Sequence, residues 1–237
     1  MIEGATMPRL ITRRTPPRLE TKPLSFWDRV KELDMFFQGR DPVHRCLRRV
    51  AKKLEKAEIP YAVIGGMAVF AHRHQRTTKD VDLLLTAASL DKFQRLFVPK
   101  DYKRLPRRPR RFKDPVNGVT LDIVIAGHFP GTGQPGPIAF PDPVAVGKKI
   151  EGVRFVDLPT LIQLKLAAHR YYDFGDVVNL IRVHKLDEAF LTNLHPSLHR
   201  DFIECLEEKR REDLYEATSD QALLEQRRTR RYGSETD

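Results

Sequence analysis

Apolar residues first recur at helical spacing at Val43, Leu47, Val50 and Leu54, with basic residues between them. Two helices are expected between Leu24 and about Glu58. The period then changes. Tyr61-Ala62-Val63-Ile64 is a short apolar run ending in Gly65-Gly66, the outline of a buried strand entering a tight turn. A short helix is expected from Met67 to His74, a strand from Asp80 to Leu85, and a helix from about Ala88 to Phe97. Val119 to Ile125 adds a strand that contains Asp122. Strands alternating with helices predict an α/β core.

The pattern weakens further on. Lys100 to Lys113 carries eight basic residues, with Arg107-Arg108-Pro109-Arg110-Arg111 at its centre, and reads as a basic loop. Gly127 to Gly147 is rich in Gly and Pro and is expected to be a long loop, a kind often either functional or mobile. The remainder reads as helical. Asp157 suits an N-cap and Pro159 a first turn, after which Leu161, Leu164 and Ala168 share a face. Further helices are expected from about Phe174 to Val183 and from Pro196 to Tyr215. The organisation read from this pattern is a disordered basic arm at 1–24, a core at 25–150, a helical part at 151–215 and a polar tail at 216–237.

Composition narrows the functional classes. The chain has 237 residues, 41% of them hydrophobic and 31% charged, which excludes collagen-like, low-complexity and wholly disordered readings. No apolar run is long enough to span a bilayer, and the N-terminus has no apolar core of a secretory signal. Cys46 and Cys205 match no metal or redox spacing and are expected to stay reduced. A cytoplasmic protein without a membrane partner is the expectation. Lys and Arg outnumber Asp and Glu by 42 to 32, a formal charge of +10 that favours a polyanionic partner, nucleic acid first.

The chemistry concentrates between residues 63 and 85. Asp80 and Asp82 lie two apart on an apolar strand, so both project to one face. Like charges so placed repel unless a cation or base intervenes, and all-oxygen ligands suit Mg²⁺ or Mn²⁺. Asp122 is as apolar in its flanks as that pair, and a neighbouring strand would bring three carboxylates together to hold metal ions. It can instead pair with a nearby arginine. Gly65 and Gly66 leave room for a phosphate against the backbone, and the following helix offers free N–H groups. Arg76, Thr78 and Lys79 precede the acids and are placed to meet a triphosphate, though Arg76 can equally salt-bridge an aspartate. His72 and His74, two apart on a helix, point to different sides and form no metal pair.

Ile64-Gly65-Gly66, a thirteen-residue spacer and Asp80-Val81-Asp82 resemble the signature of the DNA polymerase β-type nucleotidyltransferases, with Asp122 in the position of the third carboxylate. Gly65-Gly66-Met67-Ala68-Val69-Phe70-Ala71-His72 and Arg76-Thr77-Thr78-Lys79-Asp80-Val81-Asp82 are similar to motifs of the AbiEii/AbiGii-like nucleotidyltransferases, associated with type IV toxin–antitoxin systems. Asp157 to Arg170, followed by Asp173 and Asp176, resembles that family's lysine-containing helix and following acid. The likeness spans about residues 59–183. It implies a mixed sheet flanked by helices, an NTP substrate and a role in the site for Lys165 and Asp176. Lys165 beside a metal-bound triphosphate would offset charge and orient a phosphate.

The resulting expectation is a metal-dependent nucleotidyltransferase. Asp80, Asp82 and Asp122 hold the metals, and Gly65, Gly66, Arg76, Thr78, Lys165 and Asp176 serve the nucleotide. The basic balance, with Arg107, Arg108, Arg110 and Arg111 and the aromatics Tyr102 and Phe112 among them, favours an RNA acceptor such as a tRNA end. A toxin role, with an antitoxin protein as partner, is implied by resemblance alone. Small-molecule or protein acceptors, and a non-catalytic nucleic-acid-binding module, stay open.

Overall fold

The computed structural model describes residues 24–98 and 100–232, with side chains to residue 219. The expectation of a disordered arm therefore falls, but for Leu24, outside the described residues. Two helices come first, α1 (Phe26–Phe37) and α2 (Pro42–Lys56). β1 (Ala62–Ile64), α3 (Gly65–Ala71), β2 (Asp80–Leu85) and α4 (Ala87–Phe97) follow. β3 (Lys103–Leu105), β4 (Arg108–Lys113) and β5 (Thr120–Ile125) lead to the short α5 (Pro143–Val146). β6 (Gly147–Ile150) and β7 (Val153–Val156) precede α6 (Leu158–Ala168), α7 (Tyr171–His184) and α8 (His199–Tyr232).

All seven strands join one mixed sheet in the order β3-β4-β5-β2-β1-β7-β6. β2 pairs parallel with β5 and β1 parallel with β7, and the remaining neighbours are antiparallel. The mixed sheet flanked by helices is the α/β architecture expected. α2 packs on β2, α4 on β5 and α7 on α8.

Local chemistry explains the elements. Asp41 caps α2, accepting from the Val43 N–H at 2.7 Å, and Pro42 occupies the first turn where no donor is needed. Val43, Leu47, Val50 and Leu54 are buried along one face of that helix, as their spacing required. Asp157 caps α6 through the Thr160 N–H at 2.9 Å. His169 then takes a left-handed conformation, φ 53°, and ends the helix.

Three elements depart from expectation. Residues 100–113 are not a loop but contain the β3–β4 hairpin, whose charges line exposed strand positions. Residues 147–156 form the β6–β7 hairpin, turned by Glu151 and Gly152 with φ of 46° and 86°. Two consecutive positive φ values are what a tight hairpin turn demands. The final helix continues past Tyr215 to Tyr232, so most of the expected polar tail is helical. Cys46 and Cys205 are buried and free, and no helix among the described residues is long and apolar enough to cross a membrane.

Candidate active site

Strand alternation carries the carboxylates. Along β2, Val81 and Leu83 enter the core while Asp80 and Asp82 point to the opposite face, largely but not fully buried. Along β5, Leu121 and Ile123 are buried and Asp122 is turned the other way. The parallel ladder pairs Asp82 directly with Asp122. All three carboxylates open into one cavity of about 840 Å³, which Gly65, Gly66, Arg76, Thr78 and Lys165 also line.

The two glycines are required by the protein's own side chains. Gly65 has φ 64°, and a Cβ there would lie 2.0 Å from Asp82 Oδ2. A Cβ on Gly66 would stand 2.8 Å from Thr78 Cβ. The turn thus lets β2 and the segment before it approach the start of α3, and it brings backbone, carboxylate and hydroxyl to one wall. Thr78 turns its hydroxyl inward and donates to Asp80 Oδ1 at 2.7 Å.

Electrostatics mark the cluster as short of positive charge. Burial, then the charges of Asp80 and Asp122, push the Asp82 carboxyl up to about 7, against the pull of Lys165 and Arg111. Hard oxygen donors with that excess of negative charge suit Mg²⁺ or Mn²⁺. Among the described residues, no three acidic, His or Cys side chains stand already arranged to hold a metal ion. Two of the carboxylates are engaged elsewhere: Asp80 by Thr78, and Asp122 by Arg111 Nη2 at 2.5 Å. The arginine partner for Asp122 that the sequence left open is thus Arg111, on the antiparallel strand β4, with Arg111 and Asp122 in register.

Lys165 is held by a buried network. Its Nζ lies 2.8 Å from Asp173 Oδ1 and 2.6 Å from Asp176 Oδ2. Arg76 pairs with Asp176 rather than with Asp80 or Asp82, and its guanidinium carbon lies 4.4 Å from the centre of the Tyr172 ring. Arg170 Nε donates to Asp173 at 2.6 Å. α6 ends at Ala168, and α7 turns back and delivers both acids to the ammonium. Asp176 is absent from the cavity wall, whereas Asp173 lines it. Asp176 is instead buried behind the wall, holding Lys165 and Arg76.

The basic hairpin lines the cavity beside β5. Arg108, Arg110 and Arg111 line the cavity, and the long loop adds His128, Phe129 and Gly131. His128 Nδ1 is 3.4 Å from Arg110 Nη1. The Gly and Pro content marked this loop in the sequence, but nothing there singled out His128 or Phe129. Tyr102 and Phe112 correct another expectation. Both are fully buried and pack on Phe93, so they offer no face to a nucleic-acid base. Arg107, at the hairpin turn with φ 58°, is exposed.

No protein-family model matches the chain, and no curated protein matches it. Several solved structures align with part of the chain at low identity. A candidate nucleotidyltransferase from H. pylori aligns over 72% of this chain and 79% of its own, with 16% identity and a TM-score of 0.40. An antigenic nucleotidyltransferase-like protein from Paracoccidioides brasiliensis aligns over 73% and 92%, with 16% identity and a TM-score of 0.39. JHP933 from Helicobacter pylori aligns over 76% and 95%, with 14% identity and a TM-score of 0.36. These likenesses are distant.

Proposed function

We propose that the protein is a metal-dependent nucleotidyltransferase that moves a nucleoside monophosphate from an NTP to an acceptor hydroxyl. The observation that carries this reading is the in-register pairing of Asp82 with Asp122 against the Gly65 turn, in a cavity with Lys165 on its wall. Asp80, Asp82 and Asp122 would hold Mg²⁺ or Mn²⁺, which supplies charge neutralisation at the triphosphate and lowers the pKa of a bound hydroxyl. Thr78 and the Gly65-Gly66 turn would face the phosphates, and Lys165 would orient one of them, its ammonium held by Asp173 and Asp176.

In the transfer, the acceptor oxygen bonds to the α-phosphorus as the bond to the β-phosphate oxygen breaks and pyrophosphate leaves. The acceptor proton would pass to Asp122, which lines the same cavity. An RNA acceptor, such as a tRNA end, is favoured by Arg108 and Arg110 at the cavity wall and Arg107 at the hairpin tip. A toxin role, with an antitoxin as partner, rests only on the resemblance of residues 59–183 to the AbiEii/AbiGii-like proteins.

The test is label transfer from each α-labelled NTP into total RNA with Mg²⁺, for wild type and for Asp80→Ala/Asp82→Ala. Label in RNA with wild type alone is the expected result. Absence of both transfer and metal-dependent NTP binding would overturn the catalytic reading in favour of a nucleic-acid-binding module.

A further inference from the structure

Among the cations lining the cavity, Arg76 and Lys165 are held by Asp176, Lys165 also by Asp173. Arg111 differs. Its partner is Asp122, one of the three carboxylates proposed to bind metal. Register sets this contact: antiparallel pairing puts the two residues opposite each other on β4 and β5, so their side chains share a face. The guanidinium then sits 2.5 Å from Asp122 Oδ2.

We propose that Arg111 is a resident counter-ion that competes with the metal for Asp122, so that loading the site requires this guanidinium to swing away. The inference rests on the metal-dependent reading above. Burial separates Arg111 from Arg76 and Lys165. The Arg111 side chain is 44% exposed and Asp122 22%, whereas Lys165 is 7% exposed between acids that are themselves buried. A half-exposed ion pair is weak and breaks without stranding a charge in the core. Its long side chain can swing into the open cavity while the backbone stays in register. Without metal, Arg111 offsets the crowding of Asp80, Asp82 and Asp122. With metal, it is released toward the wall that carries Arg108 and Arg110.

Mn²⁺ binding to the full chain, read from the electron paramagnetic resonance signal of free Mn²⁺, tests this without turnover. Arg111→Met keeps the stem and removes the competitor, so Kd is expected to fall roughly fivefold. Arg104→Met removes the same charge from the same hairpin, but Arg104 contacts Gln94, so its Kd is expected to stay within about twofold of wild type. Arg111→Lys, which keeps the charge with a weaker grip, is expected in between. A thermal scan adds a second reading: Mn²⁺ should raise Tm more for Arg111→Met than for wild type. Equal effects of Arg104→Met and Arg111→Met, or weaker binding by both Arg111 variants, would overturn the counter-ion role and leave the metal reading standing. If neither wild type nor Arg111→Met takes up Mn²⁺, the metal-dependent function fails and this inference with it.

Discussion

Gly65 and Asp82 occupy space that no other residue at position 65 could share. The Asp82 carboxylate fills the direction in which a side chain at 65 would project, with Oδ2 only 2.0 Å from an ideal Cβ. The turn and the second carboxylate of β2 are therefore one construction. The glycine is there first for the aspartate, and whatever the cavity binds meets the two together.

Gly65→Ala should damage both stability and activity. A left-handed φ of 64° costs an alanine about 1–2 kcal/mol on its own. The clash adds to this, because the atom in the way is a carboxylate anchored on a central strand and not the end of a flexible chain. Displacing Asp82 by even an ångström should lower transfer by about 100-fold. Urea unfolding and label transfer measure the two effects. A variant with wild-type activity would show that Asp82 is not needed where it stands.

Asp82 should also govern how the metal-free protein responds to pH. Its carboxyl is raised from 3.8 to about 7, chiefly by burial and then by Asp80 and Asp122. The folded state therefore holds a proton that the unfolded chain releases near 3.8. The associated stability is fully present below that value and is lost as pH rises through about 7. Asp82→Asn removes the dependence. Its Tm relative to wild type should thus increase from pH 4 to pH 8, and Mg²⁺ at pH 8 should stabilise wild type but not the variant.

These relationships were legible in the sequence to different degrees. Asp80, Asp82 and Asp122 could be found because a carboxylate between apolar residues on a strand has one face to go to. Their adjacency could only be supposed, since the parallel pairing of β2 with β5 depends on the crossover between them. The Arg111–Asp122 contact depends on the register of a hairpin whose strands are mostly Lys and Arg, where charge hides the alternation. For the same reason Tyr102 and Phe112 passed for exposed aromatics. Their inward spacing is visible only once 103–113 is known to be a sheet edge. The β6–β7 hairpin left just one trace, the Glu151-Gly152 pair, because Lys148 and Lys149 interrupt its pattern.

The buried grip on Lys165 predicts an asymmetry between two neighbouring substitutions. Lys165→Met leaves Asp173 and Asp176 to Arg170 and Arg76, so each acid keeps one cation. Asp176→Ala strips Arg76 of its ion pair and removes one of two acids from a buried ammonium. Removing such a partner costs about 3–5 kcal/mol. Asp176→Ala should therefore be the less stable protein, by chemical denaturation, while Lys165→Met should be the better folded and the less active. The reverse order would mean that Asp176 serves the ligand directly.

The basic hairpin separates an RNA acceptor from a small one. Arg107, Arg108 and Arg110 contribute no ion pair to the described structure, so replacing them with Ala should leave the fold in place. If they track a phosphate backbone, each arginine removed should reduce the slope of log affinity against log salt by about 0.7 for single-stranded RNA. Filter binding of tRNA to the wild type and the triple variant over a range of salt concentrations gives that slope. A slope that falls by about 2 would place the backbone on the hairpin. An unchanged slope would remove the hairpin from RNA binding and return these arginines to the cavity itself, where Arg108 and Arg110 already face the space an NTP or a small anionic acceptor would fill.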